Sequence, residues 1–388
     1  MTEPRQALVV SMSPLATDPR ILREIDWLAS DGWIVDTLGI GPTPDERVRR
    51  HFPTGRAPAW TEPRVAKGLI HTLLPYRARF RLLMEPQLPA DLRDSTGAYD
   101  LIVVNDVDLV PWIARRGRSL LAAGGRVHLD LHEWHPSEPG RAPDLTTRLI
   151  RGYQDWKTDQ LASPVFTTRS TVAAGLGDLY VERYGVPPLR IIRNSPAYEA
   201  LQPTPVDPDA IDLVYHGNAD LARGLGLLAV ALPLLEPRFR LNLMLTGSDA
   251  DKQALRALLA ENSHRVVFHD PVPVAQIARR INAWDLEIIF YPPTIPNLKY
   301  SLPNKFFEAI EGRLGVVAGE SPEMASLIRE YGIGTVVDGW RGEDLAAAIN
   351  QLTAEQIVAI KAGTEAATRV LNSQTERLVF EQLLTGER

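Results

Sequence analysis

The chain predicts an α/β protein of two domains, each a doubly wound parallel sheet. Three observations carry this. Its 388 residues exceed what one ordinary core organises. Short apolar runs alternate with amphipathic stretches throughout, the pattern of successive βαβ units. The alternation also stops once, at the proline-rich stretch 195–211, and then restarts, which marks a linker.

The first half begins with "ALVVSM", a buried strand, and "DPRILREIDWLASDG", a helix whose Ile21, Ile25 and Leu28 share one face and which Gly32 stops. "WIVDTLGI", "YDLIVVND", "RVHLDLHEW" (ending at His132), "PVFTT" and "LRIIRN" follow as strands, with helices at about 108–123, 144–161 and up to Tyr184. After the linker come the strands "DLVYHG", "RLNLMLTG", "RVVFHD", "LEIIFYP", "LGVVAGE" and "GTVVDG", with "RGLGLLAVALPLLE" as the first helix and a helical end from Glu343. The expected partition is 1–195, 196–372 and a final segment 373–388 that crosses back to the first domain. Stretch 46–99 shows no clear strand. Within it, 64–84 is basic and amphipathic, either a solvated face or a surface for anionic headgroups or a phosphorylated acceptor.

Composition excludes several classes. Net charge is −6, so nothing global argues for nucleic acid. The absence of cysteine removes disulfides and thiolate chemistry. No run of about 18 apolar residues reads as a spanning helix, and the short apolar run in "MTEPRQALVVSMSP" does not read as a signal peptide. The expectation is a cytoplasmic protein, with peripheral contact at the inner membrane face left open. Neither GxGxxG nor GxxxxGK[ST] occurs, which argues against NAD and ATP sites.

Candidate chemistry lies where strands meet the following helices. In "SLPNKFFEAIE", Asn304 reads as a helix cap, Lys305 as a first-turn cation and Glu308 as a carboxylate one turn on. This is equally a phosphate-and-diol grip or a surface lysine with a dipole-complementing acid. In "YHGNADLARGLGLL", Gly217 and Gly224 bracket a turn where the backbone can approach a ligand, and Arg223 is placed to clamp a diphosphate; a plain connecting turn is the alternative. His132 and Glu133 stand at a strand's carboxyl end. His128 and His132 are four apart but on a strand, so they do not match the helical zinc HExxH motif. Asp106 and Asp108 read as helix caps rather than as a metal-binding DxD.

Together these stretches resemble the GT-B-fold glycosyltransferases of family 4, the group 1 transferases. "DPRILREIDWLASDGWIVDTL", "YDLIVVND", "VHLDLHEW", "HGNADLARGL" and "SLPNKFFEAIEGRLGVVAGESPEMASLIREYGIG" follow the family order over nearly the whole chain. The resemblance implies two Rossmann-like domains facing a cleft and a retaining, metal-independent transfer from a UDP-, GDP- or dTDP-sugar to a glycan, lipid-linked or small-molecule acceptor, with no bound cofactor. It implies that Arg223 and Lys305 hold the diphosphate, Glu308 the ribose, and His132 the donor sugar. Gly217, Asn218, Tyr300, Asn304, Gly319, Glu320 and Ser321 would line the donor site, and Ser13, Asp18, Asp106 and Glu133 the first-domain cleft. Two positions depart from the pattern: Tyr300 stands where the family commonly has Glu, and Asn218 where it has a basic residue. The first raises the alternative of a non-catalytic nucleotide-sugar or partner-binding protein. A nucleotide-sugar 2-epimerase shares the fold and is the remaining alternative.

Overall fold

A computed structural model describes residues 4–56, 64–136 and 145–385. The chain divides into two compact units. The first comprises Met1–Val172, Leu176–Ile192 and Phe380–Arg388, and the second Ala173–Gly175 and Arg193–Val379.

The first unit holds strands β1 (Gln6–Pro14), β2 (Ile34–Ile40), β3 (Val48–Pro53), β4 (Tyr99–Asn105), β5 (Leu121–Leu131), β6 (Phe166–Thr171) and β7 (Arg190–Ile191). They form one parallel sheet in the order β3-β2-β1-β4-β5-β6-β7. Residues Ala7–Val10 and Leu101–Val104 are buried because helices cover both faces of a parallel sheet. Asp18 caps the helix Pro19–Ser30 by accepting from the backbone N–H groups of Arg20 and Ile21, with Pro19 preset for the first turn. Gly32, at φ +77°, ends the turn after it. In the last helix, Ser373–Thr385, the Phe380 ring packs within this unit at 5.4 Å from Trp27 and 5.7 Å from His128.

The second unit holds β8 (Ile211–Asn218), β9 (Phe239–Thr246), β10 (Val266–His269), β11 (Leu286–Ile289), β12 (Gly315–Gly319) and β13 (Gly334–Val337). Their order is β10-β9-β8-β11-β12-β13, again all parallel. Both sheets reverse direction of growth beside their first strand, between β1 and β4 and between β8 and β11. Such switch points are where doubly wound sheets bind ligands.

Several local expectations are corrected. Stretch 46–99 contains a strand, β3, at the edge of the sheet, in which only Val48 and Phe52 are buried. The predicted helix after β8 is broken into a 3-10 turn at Leu221–Arg223, a short helix Leu227–Ala231 and a second 3-10 turn Leu232–Leu234. Gly224, at φ +93°, interrupts it, and Pro233 removes a backbone donor. Leu109, not Asp106 or Asp108, precedes the helix Val110–Leu120, and Asp108 instead pairs with Lys157 at 2.7 Å. Pro303 occupies the cap position of the helix Asn304–Glu311, so Asn304 is its first residue. The strand expected over "LRIIRN" shortens to two residues. Arg64 and Lys67 of the basic stretch have side chains outside the described residues, as has Asp144 altogether.

Candidate active site

At the end of β8 the chain turns through Gly217, at φ +111°. A Cβ there would lie 3.2 Å from Lys305 Nζ and 3.4 Å from its Cε. The missing side chain is therefore what lets the lysine lie against the strand end. Lys305 is in the first turn of its helix and only 8% exposed. Its ammonium meets no hydrogen-bond acceptor among the described residues. It sits 3.5 Å from the Tyr215 ring centroid and 5.6 Å from that of Tyr291. Burial lowers its pKa, but Tyr291, Tyr215 and Glu287 raise it further. Phenols are neutral near pH 7, so of these only Glu287 supports the charge there. The N–H groups of Asn304 and Lys305, at the head of the helix, have no intrahelical acceptor. A buried ammonium beside a helix N-terminus is a place for an anion.

One turn on, Glu308 is 9% exposed and its Oε2 accepts a hydrogen bond from His216 Nε2 at 2.9 Å. His216 Nδ1 meets Glu287 Oε2 at 2.9 Å, and the His216 backbone N–H donates to Glu287 Oε1 at 3.2 Å. His216 and Glu287 are buried at 2% and 0% exposure. Burial pulls the imidazole pKa down, and Glu287 and Glu308 push it further up, to about 9. It is thus a cation between two carboxylates.

The other donor-site candidates sit differently. Arg223 ends a 3-10 turn, half exposed, with Nε 3.1 Å from Asp220. Asn218 is exposed; its carbonyl accepts from the Tyr215 hydroxyl at 2.8 Å, and its side chain fills the space beside Gly247. Gly319 makes room for the Trp340 ring, Glu320 pairs with Arg329 at 2.7 Å, and the buried Ser321 donates to the Lys299 carbonyl at 2.9 Å. Tyr300, half-buried, ends the short helix Pro296–Lys299, with Lys299 Nζ 5.0 Å from its ring. Gly217, Lys305 and Glu308 are therefore brought together, while Arg223 and Glu320 engage acidic and basic neighbours of their own.

In the first unit a second polar cluster gathers at the ends of β4 and β5. His132 Nε2 lies 2.9 Å from Asn105 Oδ1 and 3.0 Å from Asp130 Oδ2, so it donates to both. Its Nδ1 is 3.5 Å from Asp106 Oδ2, and its backbone N–H donates to Asp106. Asp106, at φ +61°, also meets His135 Nε2 at 2.9 Å. Burial lowers the His132 pKa, but Asp106 and Asp130 raise it, to about 9. Burial raises the pKa of Asp106, but His132 and His135 lower it, to about 2. Behind them, Arg20 forks onto both oxygens of the fully buried Asp130 and donates to the Ile192 carbonyl at 2.8 Å. Asn105 donates to the buried Glu24 at 2.9 Å. His128 is a core histidine between Thr168 and Ser170. Ser13 donates to the cap residue Asp18 at 3.0 Å, and exposed Glu133 receives the Tyr180 hydroxyl on its carbonyl.

Sequence reasoning missed His216, Glu287, Arg20, Glu24, Asn105 and Asp130. One signal was available: a carboxylate inside the apolar run "LEIIF" needs a buried partner.

The two parallel sheets, each with polar side chains at its switch point, have the GT-B fold. Residues 210–355, within the second unit, match the family described as glycosyl transferases group 1. Solved structures share the fold over the full length. A sucrose-phosphate synthase from Thermosynechococcus elongatus is 17% identical, with 98% of each chain covered and a TM-score of 0.70. A glycosyltransferase from Rickettsia africae is 12% identical, with 100% of each chain covered and a TM-score of 0.66. A structure described as trehalose-6-phosphate from E. coli bound with UDP-2-fluoro glucose is 12% identical, with 98% of each chain covered and a TM-score of 0.63. No curated protein matches the chain.

Proposed function

We propose that this protein is a retaining, metal-independent glycosyltransferase of family 4. It moves a sugar from a nucleoside-diphosphate donor to a glycan, a glycolipid or a secondary metabolite. The observation that carries the reading is Lys305: a buried ammonium with no acceptor of its own, against a helix start and a glycine turn. A diphosphate would complete it. Glu308, one turn on, would take the ribose hydroxyls, and Arg223 would turn from Asp220 to the diphosphate. The leaving diphosphate departs from an oxocarbenium-like sugar while the acceptor attacks on the same face. Lys305, Arg223 and the helix N-terminus neutralise it where a metal ion otherwise would. His132, held as an imidazolium, suits hydrogen-bond donation to the sugar better than proton abstraction. The E. coli neighbour's bound UDP-2-fluoro glucose supports a donor of this class.

Peripheral membrane contact belongs to the same proposal. Leu69 and Leu73 are exposed on the helix Arg64–Leu73, and Arg77 and Arg81 are exposed on the next, Tyr76–Leu83. Tyr300 favours one second reading, a nucleotide-sugar binder that does not transfer.

Thermal unfolding with UDP, GDP, dTDP, ADP and CMP, with and without EDTA, tests the donor site. One diphosphate should raise the melting temperature, unaffected by EDTA and not in Lys305→Ala. No response to any nucleotide refutes the assignment. Sugar release from the matching donor, lost in His132→Ala, separates transfer from binding alone.

A further inference from the structure

Glu308 does not stand alone, and the residues behind it belong to none of the expected contacts. We infer that His216, backed by Glu287, is a positioning residue for ribose recognition: it fixes the Glu308 carboxylate so that one oxygen is held by the protein and the other is presented to a ribose diol. The inference rests on the nucleotide reading of this site.

Three elements converge here. His216 comes from β8, Glu287 from β11 and Glu308 from the helix Asn304–Glu311. Each ring nitrogen faces a carboxylate oxygen at 2.9 Å. A neutral imidazole would turn a lone pair on one of them, so the arrangement needs both nitrogens protonated. Glu287 is fully buried and holds His216 by its backbone N–H as well as its ring. It has no access to a ligand and acts only through the histidine. Burying two carboxylates and an imidazolium gains little stability over apolar side chains of similar volume. What the trio supplies is direction.

Direction matters because of Lys305. The two side chains are three residues apart on one helix, the spacing at which opposite charges meet. A free Glu308 carboxylate would swing onto the ammonium and occupy both ligand-binding groups at once. The tie to His216 holds the acid away from the lysine, leaving the ammonium for a diphosphate and the remaining carboxylate oxygen for hydroxyls.

The test is isothermal calorimetry at pH 7.5 with UDP, GDP and ADP, each compared with its 2′,3′-dideoxy form. The ratio of the two affinities isolates ribose recognition from diphosphate binding. Wild type should prefer at least one ribose form by about ten- to a hundredfold, the worth of hydrogen bonds to a charged group. In His216→Gln and Glu287→Gln, shown folded by their circular dichroism, that ratio should fall to within about threefold of unity. A folded variant that keeps the wild-type ratio overturns the inference and leaves the nucleotide reading intact. A wild type without ribose preference overturns the ribose role of Glu308 and this inference with it.

Wild type alone supplies a second arm. The groups around the ring are Glu287 and Glu308, with Lys305, Tyr215 and Tyr291 beside them. Lys305, flanked by the two tyrosine rings, is the group assigned to the diphosphate, which both forms of each nucleotide carry, so its effect cancels in the ratio. The ratio should fall as the pH passes about 9, where His216 loses its proton. A ratio unchanged up to pH 10 overturns the inference.

Discussion

Replacing Lys305 with methionine should leave the ligand-free protein more stable, or at most about 1 kcal/mol less stable, and the nucleotide complex weaker. Methionine keeps the unbranched length and removes the charge. The lysine is 8% exposed and its ammonium has no hydrogen-bond acceptor among the described residues. Exchanging a buried ionic group for a well-packed apolar one is neutral or stabilising by about 1–4 kcal/mol. Against this stands the loss of the contact with the Tyr215 ring, 3.5 Å away, worth about 2 kcal/mol in a desolvated setting. The balance runs from about 1 kcal/mol against the variant to about 2 kcal/mol in its favour. For a unit of this size the favourable end is a rise of up to about 8 °C in melting temperature. The same change removes a charged partner of the diphosphate, about 1.5–3 kcal/mol, or 10- to 150-fold in Kd. Calorimetric unfolding without ligand and titration with UDP, GDP and dTDP read the two effects separately. A Lys305→Met protein destabilised by more than about 1 kcal/mol would refute the view that the charge is poorly satisfied. Unchanged nucleotide affinity would refute the view that the charge awaits a phosphate.

Gly217→Ala should cost about 1–3 kcal/mol in urea unfolding, because alanine resists φ +111° and its methyl would press on Lys305; nucleotide affinity should fall with it. Asp130→Asn should cost about 3–5 kcal/mol by the same measurement, since it strands the buried Arg20 guanidinium. Glu24→Gln addresses pH. Burial and the Asp130 charge raise the Glu24 pKa from 4.5 to about 8, so between these values the folded state binds a proton that the unfolded state has lost. Its contribution is complete below about 4.5 and declines as the pH rises through 8. Glutamine keeps the acceptor for Asn105 without titrating, so the variant should gain stability over wild type above pH 8 and match it near pH 4.5. A parallel decline in both would locate the titration elsewhere.

Both sheets were legible because parallel strands buried on two faces write themselves as apolar runs such as "ALVV" and "LIVV". β3 was not, because this edge strand buries only Val48 and Phe52, and "VRRHFP" reads as a charged loop. Its Arg49 is accounted for only in three dimensions, by the buried Asp36 of β2 at 2.6 Å. Turn and helix-start chemistry singled out Gly217, Lys305 and Glu308 one by one, and only the family resemblance grouped them. The supporting histidine was not legible, since a lone strand-end histidine looks the same with or without two carboxylates around it. Arg20 and Asp130 are 110 residues apart, and each taken singly resembles a surface charge. The helix after β8 was misread because its leucines keep helical spacing while Gly224 and Pro233 break the backbone beneath them.

The Arg20 guanidinium also bears on the order of assembly. It spans 110 residues to Asp130 and 172 residues to the Ile192 carbonyl. Closing loops of this length costs entropy before the contact repays it. The expectation is that the fork forms late in folding, largely after the transition state. Its removal in Asp130→Asn should leave the refolding rate nearly unchanged and accelerate unfolding. Arg20 then serves as a latch that governs how long the first unit stays folded rather than how fast it forms.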